Sequence, residues 1–161
     1  MEKEKAVTNA NTLIFIAKID IFDLAKNIFS EIFITDEVFE EIFKKGCIEN
    51  LKIEKELNTF LKKVSMKNLK NLLIDKGEIS AISYCLEKNI KTFLSDDKKA
   101  RITAESLGIK AKGILGIILD NLQKKKITNE RAKVLIKKLI ENGYYISSDI
   151  YDELMSLIEE N

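Results

Sequence analysis

The chain has 161 residues, 45% of them apolar, which is enough for a single domain with a substantial core. Its formal net charge is +1, and no histidine is present, which excludes Ser-His-Asp and Cys-His nucleophiles and histidine-dependent ribonuclease chemistry. Cys47 and Cys85 form no CxxC pair, so neither a structural zinc site nor a disulfide framework is expected.

Carboxylates, lysines and hydroxyl groups remain as candidate catalytic side chains. Because hard cations prefer carboxylate oxygens, an enzyme of this composition is expected to use Mg²⁺ or Mn²⁺. No apolar stretch approaches the roughly 20 residues that cross a bilayer, so we expect a soluble, cytoplasmic protein without a membrane partner.

Basic side chains are concentrated in one part of the chain. Residues 91–140 carry 13 basic and 5 acidic side chains, whereas residues 141–161 carry 6 acidic and no basic ones. The basic block predicts a surface that contacts phosphate groups, formed by Lys98, Lys99, Arg101, Lys110, Lys112 and Lys124 to Lys126. A lysine-rich solvated face explains the block almost as well, so charge alone does not decide between the two.

Short apolar runs alternate with helical periodicities along the first half of the chain. A buried strand over 5–9 has Asn9 at its end, and Asn11 is predicted to cap the following helix. A helix over 21–29 leads to a strand at 32–34. Thr35 is predicted to cap a helix with an acidic first turn, and Glu41 lies at the edge of its apolar face. Residues 47–73 have a helical, lysine-rich pattern without evident chemistry.

The segment 77–116 contains the densest set of structural signals. A helix that begins at Glu78 leads to a strand over 92–94, which stops at Ser95-Asp96-Asp97, where a second helix begins. Gly108 is predicted to end that helix. A short strand over 109–112 and helices over 114–122, 129–141 and 149–159 complete the chain, with an extended piece before the last helix.

This alternation of short strands and helices predicts an α/β fold whose mainly parallel sheet is covered on both sides. No internal repeat or low-complexity linker interrupts it. We therefore expect a single domain over residues 1–161, with a C-terminal helical extension at about 128–161.

Polar side chains recur where predicted strands end and helices begin. Capping and helix-dipole effects explain each aspartate of the Asp96-Asp97 pair when it is taken alone. A doubly wound sheet, however, brings the carboxyl ends of its strands to one edge, where ligands bind. Neighbouring carboxylates repel one another, so such a cluster predicts a divalent cation. Its members are Asn9, Glu41, Glu78, Asp96 and Asp97.

The order of five segments resembles that of PIN-domain proteins: VTNANTLI at 7–14, ITDEVFEEI at 34–42, GEISAI at 77–82, LSDDKKAR at 94–101 and KGILG at 112–116. More narrowly, the chain is similar to the VapC-like, toxin-type ribonucleases with a GE-x-x-A-I helix and a DD-x-x-AR turn. The resemblance covers nearly the whole chain. It implies a three-layer α/β/α sandwich that hydrolyses RNA with Mg²⁺ or Mn²⁺ held by three or four acidic side chains.

The resemblance also assigns roles to individual positions. Glu41 matches the acid on the second helix of the family, and Glu78 matches the acid that opens the middle helix. Asp96 or Asp97 matches the acid after the third strand, and the sequence leaves that choice open. Asn11 and Ser95 match small polar positions that orient the acids or the attacking water. The RNA backbone is expected to contact Lys98, Lys99, Arg101 and Lys112.

Two positions depart from the family pattern. Asn9 stands where an aspartate is usual, and Ser80 stands where the related GE-x-E-A-I pattern has a second acid. An amide brings no charge, so metal affinity and transition-state stabilisation should fall. Asn9 is a natural variant in a working site, a natural degenerate site, or a deliberate Asp-to-Asn change. The second departure favours a natural asparagine.

The leading hypothesis is a metal-dependent PIN endoribonuclease that acts as the toxin of a toxin-antitoxin pair, weakened or inactivated by Asn9. The resemblance then implies an RNA substrate, a small antitoxin protein and a homodimer, and it leaves the RNA target open. The alternative hypothesis is a non-catalytic PIN module that binds RNA or a protein partner. A phosphoacceptor receiver domain has little support, because Asn9 replaces the acid expected after its first strand.

Overall fold

A computed structural model describes residues 2–160. The strands are β1 (Glu4–Thr8), β2 (Phe29–Thr35), β3 (Leu61–Val64), β4 (Thr92–Leu94) and β5 (Lys110–Lys112). The helices are α1 (Ala10–Lys18), α2 (Phe22–Ile28), α3 (Asp36–Lys44), α4 (Glu49–Glu56), α5 (Lys76–Lys88), α6 (Lys98–Ser106), α7 (Ile114–Gln123), α8 (Asn129–Glu141) and α9 (Ser148–Glu159).

The five strands form one parallel sheet in the order β3-β2-β1-β4-β5. The order reverses direction at β1, which pairs with β2 on one side and with β4 on the other. Thr8 pairs with Leu94, and the backbone N–H of Asn9 donates to the Leu94 carbonyl at 3.0 Å. The carboxyl ends of β1 and β4 therefore meet at the switch point, the usual ligand position in such sheets.

Two hydrophobic clusters cover the two faces of the sheet. Successive strand residues point to opposite faces, so Ala6 belongs to the larger cluster and Val7 to the smaller one. Helices α1, α2 and α7 supply much of the larger cluster, whereas α5 and α6 cover the other face. The predicted three-layer α/β/α sandwich with a parallel sheet is confirmed.

The segment 47–73 differs from the predicted helix. Only α4 is helical, and the chain then forms β3, in which Lys63 pairs with Ile34 of β2. Residues 65–75 contain no strand or helix. Lysine and leucine favour helices locally, but pairing with the exposed edge of β2 overrides this preference in a strand only four residues long.

Helices α8 and α9 pack on the larger cluster. Leu135, Leu139, Leu154 and Ile158 are buried there. Both helices lie close to their predicted bounds, and Thr128 caps α8 by accepting a hydrogen bond from the Arg131 N–H. No helix within the described residues is both long and apolar enough to span a membrane.

Candidate metal centre

Asn9 follows β1 and caps α1. Its Oδ1 accepts a hydrogen bond of 3.0 Å from the Thr12 N–H, so the predicted cap at Asn11 lies two residues too late. Its Nδ2 donates to Ser95 Oγ at 3.0 Å and to Glu78 Oε2 at 3.4 Å. The oxygen of the Asn9 amide is thus used by the helix, and an N–H faces Glu78.

Glu78 lies in the first turn of α5 and is 8% exposed. The pKa of its carboxyl is raised from 4.5 to about 7, chiefly by burial and next by the negative charge of Asp97. The Asn9 hydrogen bond opposes this shift, whereas the charges of Asp75 and Glu41 add to it. Glu78 therefore lies in the field of three other carboxylates.

These four carboxylates line one small cleft of about 50 Å³ at the carboxyl edge of the sheet, together with Asn9, Ala10 and Asn11. Asp75 was missed in the sequence because it lies outside the segments with a clear motif. It occupies the N-cap position of α5, but its side chain makes no capping hydrogen bond. An acid three residues before Glu78, at a helix start, is the signal that could have identified it.

Gly77 allows Glu41 to lie over the start of α5. A Cβ atom at position 77 would be 2.9 Å from Glu41 Oε2 and 3.5 Å from Val38 Cγ2. The glycine of the Gly77-Glu78 pair therefore brings α3 close to α5. Two acids from different helices reach the same cleft as a result.

The structure separates Asp96 from Asp97. Asp97 is exposed, lines the cleft and caps α6 by accepting from the Ala100 N–H at 2.9 Å. Asp96 instead accepts hydrogen bonds from the Thr12 and Tyr144 hydroxyls, each at 2.7 Å, and from the Ile114 N–H at 3.1 Å. Asp97 faces the candidate centre, and Asp96 joins α1, α7 and the segment after α8.

The remaining small polar residues have distinct positions. Ser95 Oγ donates to Glu78 Oε2 at 3.5 Å and accepts from the Asp97 N–H at 3.1 Å, so it links two of the acids. Asn11 lines the cleft and accepts from Lys45 Nζ at 3.2 Å. Ser80 is fully buried, donates to the Gly77 carbonyl and shares a 2.6 Å hydrogen bond with Thr35, so it does not line the cleft.

Comparison with protein families decides the relationship. A profile of the DUF3368 family, described as a PIN domain, matches residues 5–160. The chain belongs to this PIN-domain family. No curated protein matches the chain significantly.

Two solved structures are similar to this PIN domain in fold. A PilT N-terminus domain protein, SSO1118, from the hyperthermophilic archaeon Sulfolobus solfataricus P2 is 19% identical with a TM-score of 0.50, over 70% of this chain and 89% of that one. The PIN domain endonuclease Utp24 is 11% identical with a TM-score of 0.54, over 68% of this chain and 84% of that one. At these identities the likeness concerns the fold.

The basic residues of the PIN domain differ in their access to the cleft. Lys98 and Lys99 are exposed at the start of α6, and Lys99 lines a second cleft that shares Asp75, Glu78 and Asp97 with the acidic one. Arg101 donates to the Ser95 carbonyl at 3.4 Å. Lys112 is 7% exposed and forms an ion pair with Asp120, so its ammonium group is engaged inside the fold.

The acids of the PIN domain form an all-oxygen donor set, which suits a hard divalent cation such as Mg²⁺ or Mn²⁺. Within residues 2–160 no three acidic or cysteine side chains converge on one point as ligands of a held ion do. The chemistry of the set nevertheless fits, because a cation would offset both the burial and the carboxylate repulsion that raise the pKa of Glu78. The fitting ligands are Glu41, Asp75, Glu78 and Asp97.

We expect the metal-free protein to lose stability as pH rises from about 4.5 to about 7. In this window native Glu78 keeps a proton that the unfolded chain releases, so the native state binds more protons. The slope approaches ~1.4 kcal/mol per pH unit and flattens above pH ~7. Urea denaturation in EDTA at four pH values measures it. Glu78→Gln should remove the part of the pH dependence that Glu78 contributes. Glu87→Gln, at the exposed far end of α5, should retain it. Equal slopes in both variants would contradict the assignment to Glu78.

Proposed function

We propose that this PIN domain is an endoribonuclease that depends on a divalent cation. The observation that carries the proposal is the small cleft that Glu41, Asp75, Glu78 and Asp97 line together with Asn9 at the switch point of the sheet. Four carboxylates that share one small cleft repel one another, and a divalent cation would offset that repulsion. The similar fold of an endonuclease, Utp24, supports a nuclease activity.

Glu41, Asp75, Glu78 and Asp97 would hold the cation. A bound divalent cation supplies Lewis acidity that activates the attacking water and stabilises the leaving oxygen. Ser95 and Asn9 hold the Glu78 carboxylate in place through their hydrogen bonds. Because the pKa of Glu78 is about 7, cation binding at lower pH must displace its proton.

The RNA backbone would bind at the exposed lysines that border the acids. Lys99 lines the same larger cleft as Asp97, and Lys98 precedes it at the start of α6. Lys112 has no part in this contact, because it is paired with Asp120. Arg101 donates a hydrogen bond to the Ser95 carbonyl, in the segment between β4 and α6. Phosphate contacts of this kind carry little sequence information, so they leave the RNA target open.

The resemblance to VapC-like ribonucleases extends the proposal to a toxin role. Under this extension a small antitoxin protein covers the acidic cleft, and the toxin forms a homodimer in the cytoplasm. Residues 1–161 act as a single domain, and α8 and α9 form its C-terminal extension. Growth arrest on induced expression, relieved by a neighbouring open reading frame, would support this role.

A cleavage assay tests the proposed activity. We expect single-stranded RNA to be cut in Mn²⁺ or Mg²⁺ and left intact in EDTA. Asp97→Asn should reduce the rate by about 100-fold, because it keeps an oxygen for the α6 cap but removes the charge at the cleft. Glu87→Gln is the matched control at an exposed carboxylate far along the same helix as Glu78. Cleavage that persists in EDTA, or an undiminished rate in Asp97→Asn, would contradict the proposal.

A second function is favoured by the orientation of Asn9. Its oxygen is used by the α1 cap, and its N–H faces Glu78, so Asn9 adds a hydrogen-bond donor rather than a ligand. This arrangement suits a PIN module that binds RNA or a protein partner without cleaving RNA. Binding of RNA without cleavage, in both this chain and Asn9→Asp, would favour it.

A further inference from the structure

A second and larger cleft adjoins the acidic one. It has a volume of about 510 Å³ and shares Asp75, Glu78 and Asp97 with the candidate metal centre. This volume lies within the ~300–1,000 Å³ range of small-ligand sites. Its other lining residues are Leu72, Leu73, Ile74 and Lys99.

The apolar residues of this cleft, Leu72 to Ile74, contact the core on one side and solvent on the other. Leu72 and Ile74 pack against the smaller hydrophobic cluster, which covers the α5 and α6 face of the sheet. Leu73, between them, is 87% exposed and is the most exposed large apolar side chain among the described residues. The alternation fixes the backbone on both sides of Leu73 and presents its side chain at the lip of the cleft.

The three kinds of wall match the parts of a nucleotide. Carboxylates suited to a cation lie next to the place of a phosphate, a lysine can contact a second phosphate, and aliphatic side chains can contact the face of a base. Because the acids are common to both clefts, a base in the larger one belongs to a nucleotide beside the phosphate at the metal centre.

We propose that Leu72 and Leu73 form a binding site for an unpaired base next to the scissile phosphate, with Lys99 on the adjoining phosphate. This inference rests on the proposed function, because the position of the scissile phosphate comes from it. Aliphatic side chains give dispersion contact to any base and offer it no hydrogen bonds. The site therefore requires a base without reading its identity, and it requires single-stranded RNA because a duplex covers the base faces.

Fluorescence anisotropy with a labelled eight-nucleotide single-stranded RNA in Mg²⁺ tests the site. Leu73→Ala should weaken binding by about five- to tenfold, which is the lower part of the range for base stacking on an aromatic side chain. The same variant should bind an oligonucleotide with abasic internal positions as the unmodified protein does. Val134→Ala, at an exposed position on α8, is the matched control and should change neither affinity.

A second set of binding measurements varies the identity of the base and whether it is paired. We expect the four homopolymeric RNAs to lose affinity to a similar degree in Leu73→Ala, and a duplex to lose none. Equal weakening of normal and abasic RNA, or no weakening of either, overturns the base site. The second result would fit a cleft lined for an apolar side chain of a protein partner.

The outcome remains separate from that of the nuclease proposal. If no form of the protein cleaves RNA but Leu73→Ala selectively weakens the binding of RNA with bases, Leu73 binds an unpaired base without a scissile phosphate beside it, and the nuclease proposal fails. If cleavage depends on the metal and on Asp97 but not on Leu73, the nuclease proposal stands and the base site fails. Because Leu73 is exposed, thermal unfolding of Leu73→Ala should match the unmodified protein and exclude misfolding.

Discussion

Asn9→Asp should increase metal-dependent cleavage of single-stranded RNA by about 100-fold. In this chain Oδ1 of residue 9 is held by the Thr12 N–H, and the other polar atom, Nδ2, lies 3.4 Å from Glu78 Oε2. An aspartate keeps the cap through one oxygen and turns the second toward Glu78. Two carboxylates then meet where the chain now has a hydrogen bond, and a cation offsets their repulsion.

The same substitution should have opposite effects on stability with and without metal. In EDTA the new repulsion raises the pKa of Glu78 further and lowers the melting temperature at neutral pH. In Mn²⁺ the melting temperature should rise more in Asn9→Asp than in the unmodified chain, because binding to the native state stabilises it. Cleavage rates and melting curves in Mn²⁺, Mg²⁺ and EDTA measure both effects.

Asn11→Asp is the matched control for this experiment. Asn11 lines the same cleft but lies exposed on α1. The Asn11→Asp substitution therefore adds the same negative charge and leaves the hydrogen bond from Asn9 to Glu78 in place. We expect it to change cleavage and the Mn²⁺-dependent stability much less. If Asn11→Asp matches Asn9→Asp, general charge at the cleft explains the gain. If Asn9→Asp changes neither quantity, residue 9 is not a ligand position.

Asp96→Ala should lower the free energy of unfolding by about 3 kcal/mol. The carboxylate of Asp96 accepts from two hydroxyls and one backbone N–H, on Thr12, Tyr144 and Ile114. Alanine leaves these donors without their partner inside the junction, and each such donor costs about 1–3 kcal/mol without being strictly additive. Urea denaturation at neutral pH measures the loss.

A substitution at one partner of Asp96 isolates the contribution of a single hydrogen bond. Tyr144→Phe removes one donor and should cost about 1 kcal/mol. Burial and the adjacent Asp96 carboxylate raise the pKa of the Tyr144 hydroxyl, so it stays a neutral donor at physiological pH. Tyr145→Phe, at a side chain that is 86% exposed, is the neighbouring control and should cost nothing.

Asp97→Asn completes the comparison between the adjacent aspartates. It preserves the α6 cap and should leave stability nearly unchanged, while cleavage falls by about 100-fold and Mn²⁺-dependent stabilisation is lost. Destabilisation of Asp97→Asn to the level of Asp96→Ala would contradict the division of roles. So would normal Mn²⁺-dependent stabilisation in Asp97→Asn.

Local patterns in the chain were sufficient for most of the architecture. Apolar runs such as 32–34 and 92–94, bounded by polar residues, identify strands, and Thr35 and Thr128 mark helix starts by their own hydrogen bonds. These signals depend on a few neighbouring residues. The parallel sheet with helices on both sides follows from their alternation, and the residues that close strands and open helices indicate the edge where Glu78 lies.

Contacts between distant segments decided the rest. Adjacent residues such as Asp96 and Asp97 point in different directions, and only the packing of α7 and the Tyr144 segment determines which one faces the cleft. The same holds for β3, which exists because the edge of β2 is available, and for Lys112, whose charge is taken up by Asp120. The place of Asp75 in the cleft and the orientation of the Asn9 amide also depend on tertiary structure, because they are set where α1, α5 and the end of β4 meet. Side-chain partners that are far apart in sequence leave no local pattern.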